Sequence, residues 1–72
     1  MQENNYELKK LGNRIKELRM KQKLTMSALA YRNGLDPSSI SRLERGLVEP
    51  KYLSLLIIAK SLKMDLSEML KF

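Results

Sequence analysis

The sequence predicts an all-α domain of five short helices, and three observations carry that expectation. Apolar residues recur at the three- and four-residue spacing of a helix that faces a core. Gly34, Pro37, Gly46 and Pro50 fall as punctuation and cut the chain into short pieces. No stretch shows the sustained apolar–polar alternation, bounded by hairpin turns, that marks a strand.

The first helix is expected over about 6–22. Leu8, Leu11, Ile15 and Leu18 fall within an arc of roughly 80° at 100° per residue, while Lys9, Lys10, Lys16 and Glu17 point elsewhere. Gly12 lies inside this pattern and costs about 1 kcal/mol against alanine, which suggests a closely packed neighbour. A second helix, 25–32, opens with Thr25 as N-cap and turns Leu29 and Ala30 inward. It ends at Asn33-Gly34, where glycine takes the positive φ of a tight exit. The third, 36–45, has Asp36 as cap, Pro37 at the first helical position, and Ile40 and Leu43 buried. The fourth, 51–62, carries Tyr52, Leu55, Leu56, Ala59 and Leu62 inward, flanked by Ile58. The fifth, 65–71, is capped by Asp65 with Glu68 three residues on, and bears Leu66, Met69 and Leu70. Residues 1–5 are polar and outside the pattern, so they are set apart as a flexible N-terminal segment ahead of one domain, 6–72.

Seventy-two residues leave room for a single core. The absence of cysteine and histidine removes disulfides, the usual zinc sites and the commonest catalytic groups. No glycine-rich phosphate loop and no paired acids stand in for them, so neither enzyme activity nor a metal, cofactor or small-molecule ligand is expected. No apolar run nears the roughly 18 residues that cross a bilayer. The polar start lacks a leader's hydrophobic segment, so a soluble, cytoplasmic protein without a membrane partner is expected. Fourteen Lys and Arg against eight Asp and Glu give a net charge of +6, which attracts nucleic acid first and anionic membrane second.

Helices two and three are separated by only a few residues around Gly34, which forces a steep crossing. Ala30, then glycine four residues later, then Ile40 six beyond that, is the spacing of a helix-turn-helix. Any compact helical hairpin can show part of it. More specific is the run Ile40-Ser41-Arg42-Leu43-Glu44-Arg45-Gly46. Together with Leu24 to Ala30, Gly34-Leu35, Pro50 and the stretch from Leu55 to Leu70, it resembles the phage repressor and Cro-like (Xre-type) DNA-binding domains. With Ile15 to Arg19 in front, the resemblance covers nearly everything after Leu11.

That resemblance implies that helix three enters the major groove of double-stranded DNA. Its outward residues are Pro37, Ser38, Ser41 and Arg42, with Ser39 partly turned away. Arg42 is the first candidate for base readout, since a guanidinium bonds O6 and N7 of guanine together for about 1–3 kcal/mol of discrimination. The serines either read weakly, hold phosphates or are solvated surface. Phosphate contacts are expected from the N-terminus of helix two at Thr25 and Met26, and from Lys23, Arg45 and Lys51. Arg19 and Glu44 take the places of a structural ion pair in this family, with an added phosphate contact open to Arg19. Two departures stand out: many members have glutamine where Met26 stands, and a long polar residue in place of Pro37. Fewer base contacts, and more reliance on Arg42 and DNA shape, follow.

Leu53 and Ile57 lie within about 40° of each other and off the inward stripe. They predict a homodimer interface, joined by Met69 and Phe72; singly exposed apolar residues are the bland alternative. The expected function is a dimeric transcription regulator, a repressor or autoregulatory controller on a palindromic operator. The alternative is an antitoxin-type module whose apolar face meets a different protein.

Overall fold

The computed structural model describes residues 2–72, and Met1 of the N-terminal segment lies outside them. The described residues form five helices and no strand: α1 (Gln2–Lys21), α2 (Met26–Asn33), α3 (Pro37–Glu44), α4 (Tyr52–Ser61) and α5 (Leu66–Met69). No helix is long and apolar enough to cross a membrane among the described residues. α1 starts at Gln2, ahead of the expected Tyr6, so 2–5 extend the helix. Gln and Glu are good helix formers, but a turn without apolar residues leaves no periodic signal in the sequence.

One core unites all five elements. Leu11, Ile15 and Leu18 of α1 meet Leu29 and Ala30 of α2, Ile40 and Leu43 of α3, Ile58 and Ala59 of α4, Leu62 and Met69. Ala30 is fully buried, and its small side chain lets α2 and α3 nest. Three expectations need correction. Tyr52 is exposed, because it is the first residue of α4 and overshoots the core, while Ile58 takes the inward place. Leu70 lies outside. Met69 is wholly buried and leaves the expected dimer surface, because α5 folds back on α1. Arg14 of α1 fixes that return by donating to the Met69 carbonyl at 3.0 Å and the Glu68 carbonyl at 2.9 Å.

Four helices end in the same lock. After α2, Gly34 stands at φ 68°, the Leu35 N–H donates to the Ala30 carbonyl, and the Gly34 N–H donates to Tyr31. The same pair of bonds follows α3 at Gly46-Leu47, α1 at Lys23-Leu24 and α4 at Lys63-Met64. Each puts one left-handed residue next to an apolar one, which satisfies carbonyls the helix leaves open. Lys23 and Lys63 adopt this conformation, at φ 59° each, although it favours glycine.

α1 packs tightly on the end of α3 at Gly12. A Cβ placed there would press on the backbone carbonyls of Leu43 and Glu44, the former at 2.5 Å. Gly12→Ala gains about 1 kcal/mol in helix propensity but overpacks a backbone contact at about 1–3 kcal/mol. Urea unfolding should therefore show a net loss of stability. A gain would mean that α1 does not lie against the end of α3.

Candidate nucleic-acid interface

α3 rises about 12 Å over its eight residues, close to the width of a DNA major groove. Ile40, Leu43 and Glu44 turn inward, so Pro37, Ser38 and Arg42 face solvent, with Ser39 and Ser41 half-buried beside them. Pro37 presets the first helical φ and lacks only an N–H that the helix start does not use.

Asp36 organises the start of this helix. Its Oδ1 accepts from the Ser39 N–H at 3.0 Å, the Ser39 hydroxyl at 2.8 Å and the Ser38 hydroxyl at 3.0 Å. The Ser39 hydroxyl, then the Ser39 N–H and the Ser38 hydroxyl, hold the Asp36 carboxyl below the usual carboxylate range, with Arg42 adding electrostatic support. Two readout candidates are thereby redefined. Ser38 and Ser39 spend their protons on Asp36, so toward a base they offer only acceptor lone pairs. Arg42 keeps all its donors among the described hydrogen bonds and remains the one long donor on the exposed face.

Behind the helix, Arg19 of α1 meets Glu44 of α3. Nε donates to Oε2 at 2.6 Å, Nη2 donates to Oε1 at 3.1 Å, and Nη1 donates to the Leu24 carbonyl at 2.7 Å. Both side chains are buried. This fork–fork geometry neutralises the acid that α3 carries. Arg19 is turned inside with all three nitrogens engaged, which supports its structural role.

At the start of α2, the Thr25 hydroxyl accepts from the Ala28 N–H at 3.0 Å. The Met26 and Ser27 N–H groups find no acceptor among the described residues, so they point out of the helix end as a place for an anion. The Met26 side chain packs against the core, and only its backbone is free to serve. Lys23, Arg45 and Lys51 are exposed. Arg45 folds back toward the Ser41 carbonyl at 3.4 Å. An open groove between α1 and α3 is lined by Lys9, Asn13, Lys16, Met26, Ser41, Glu44 and Arg45. Lys9, Asn13 and Lys16 carry no functional expectation from sequence. Their spacing of four and three residues, which puts them on one helix face, is the signal that could have found them.

Leu53 and Ile57 are 68% and 48% exposed, one turn apart on α4. Phe72 is exposed too, but beside Lys10, Asn13, Arg14 and Glu17 of α1. Ile57 opens instead beside Arg32, Lys60 and Lys63. The fold does not bring Phe72 to the α4 pair.

Residues 15–69 match the helix-turn-helix family model. The restriction-modification controller protein C.AhdI from Aeromonas hydrophila is similar in structure, with a TM-score of 0.88 and 32% identity over 92% of this chain and 96% of that one. The DNA-binding domain of the P22 c2 repressor is similar at TM-score 0.80 and 34% identity, covering 85% of this chain and 80% of that one. The same repressor in complex with a synthetic operator gives TM-score 0.76 at 34% identity, over 85% and 92%. No curated protein matches the chain.

The Asp36 cap sets a pH dependence. Its carboxyl has a lower pKa folded than unfolded, so its stabilisation is complete above the unfolded value, about 3.9. It is lost as pH falls through the folded value. Asp36→Ala should melt at a lower temperature than the parent at pH 7, and the gap should close in increasingly acid buffer. A gap that persists unchanged well below pH 3 would show that the carboxylate is not what caps α3.

Proposed function

The chain belongs to the helix-turn-helix family, whose members are DNA-binding transcription regulators and not enzymes, and from that premise we propose that it acts as a homodimer on a palindromic operator. In this reading α3 lies in the major groove, Arg42 reads a guanine, and the α2 N-terminus, Thr25, Arg45, Lys51 and Lys23 hold phosphates. It acts in the cytoplasm, beside the DNA it regulates. The observation that carries the proposal is the outward face of α3: a free guanidinium at Arg42, with the only acid on the helix proper folded behind it onto Arg19.

The likeness to a controller protein over nearly the whole of both chains supports a repressor or autoregulatory controller. Dimerisation is supported by Leu53 and Ile57. Burying such a side chain from full exposure is worth about 1.5–3 kcal/mol; Leu53 and Ile57, 68% and 48% exposed, gain a part of that each, and a two-fold axis counts the pair twice. The Met69 and Phe72 surface is not part of this proposal.

Two measurements test it. Selection of bound sites from random duplexes should return inverted repeats with half-sites centred about 10–10.5 base pairs apart, or a multiple of that. Arg42→Ala should lose preference at one position in each half-site, by about 1–3 kcal/mol, while Arg45→Ala should weaken all sequences alike. If both variants only scale affinity, Arg42 is a phosphate ligand and the readout assignment fails. Separately, sedimentation at micromolar concentration should give a dimer that Leu53→Lys/Ile57→Lys converts to a folded monomer. A parent protein that sediments as a monomer would instead favour a different protein as the partner of α4, as in an antitoxin.

A further inference from the structure

We propose that the groove between α1 and α3 is a further phosphate site, in which Lys9, Lys16 and Arg45 hold one backbone phosphodiester of the bound DNA. The proposal rests on the DNA-binding reading and extends it to α1, which that reading uses only as a support for α3.

Four features of the groove argue for an anion. Three cations line it, and its one acid, Glu44, is already bonded twice by Arg19, so no free carboxylate opposes them. Two of those cations are positioned rather than loose. The stem of Lys9 lies over Gly46, where an added Cβ would come within 2.7 Å of Lys9 Cγ. Gly46 at φ 74° therefore serves both the exit from α3 and the seat of a lysine. Arg45 leans on the Ser41 carbonyl. Holding side chains in place beforehand lowers the entropy lost when a ligand arrives. Asn13 and Ser41 add neutral donors to the same walls, which suits phosphate oxygens.

Position favours DNA as the source of the phosphate. The groove shares Ser41 and Arg45 with the recognition helix and Met26 with the first turn of α2. An anion seated there lies beside the strand that α3 would straddle. The Met26 side chain donates nothing to an anion, so the lysines of α1 supply the charge at this end of α2.

The test is the salt dependence of binding, read by anisotropy of a labelled duplex. Each phosphate neutralised contributes about 0.9 to the slope of log K against log salt. For Lys9→Gln/Lys16→Gln each subunit loses one phosphate contact, so in the dimer the slope should flatten by about 1.8, and the fall in affinity from 50 to 200 mM salt shrinks by about 12-fold. Base preference should not change. Both lysines are exposed, so the circular dichroism spectrum should match the parent. Lys60→Gln/Lys71→Gln removes the same charge elsewhere and should leave the slope alone. An unchanged slope in the α1 variant, or an equal flattening in the control, overturns the groove assignment while leaving DNA binding intact. A parent protein with no salt-dependent affinity for duplex DNA overturns the functional reading as well. Melting in inorganic phosphate at fixed ionic strength separates the sources. No change in Tm assigns the groove to DNA. A rise that the α1 variant loses, with an unaltered slope, would make the occupant free phosphate and refute the proposal.

Discussion

The Arg19–Glu44 pair, buried between α1 and α3 beside the Gly12 contact, decides which way α3 faces. Its value is not raw stability, since desolvating two charges consumes most of what their attraction returns. Its geometry is what counts. Two parallel hydrogen bonds fix the roll of α3 about its own axis, and the absent Cβ at Gly12 fixes how close the helix end comes. With Glu44 locked inward, the opposite side of the helix, Pro37 to Arg42, has only solvent to face. The same lock hides a negative charge that would otherwise repel phosphate from both α3 and the groove beside it.

Much of this was legible in the sequence, for identifiable reasons. Core positions of α1, α2 and α3 follow from helical spacing, and the exits after α2 and α3 follow from Gly34 and Gly46. The equivalent exits at Lys23 and Lys63 carry no such mark, because lysine has no preference for the left-handed region. Only the apolar residue behind each, Leu24 and Met64, repeats the pattern of Leu35 and Leu47. Sequence misplaces Met69 because a four-residue helix is too short for periodicity to tell inside from outside, and the bond that holds its carbonyl comes from Arg14, 55 residues away.

The proposed DNA-reading face was legible in its residue types and less so in their chemical state. Ser38 and Ser41 are equivalent hydroxyls in a sequence. In the fold, Asp36 takes the proton of Ser38 and leaves Ser41 half-buried at the groove. Likewise Arg19, Arg42 and Arg45 are three arginines on paper. Packing gives them three different situations: buried against Glu44, free on the front of α3, and bent over the groove. The division of labour among cations comes from tertiary contacts that no local spacing encodes.

The claim that the front of α3 is the DNA-reading surface, held from behind by α1, is tested most directly by mapping backbone amide shifts as a duplex carrying the selected site is added to the isotopically labelled protein. The account predicts that the largest changes cluster at Met26 to Ala28 and Ser38 to Arg45. The interior amides of α4 should scarcely move. Changes confined to α4 and α5, with α3 silent, would contradict it.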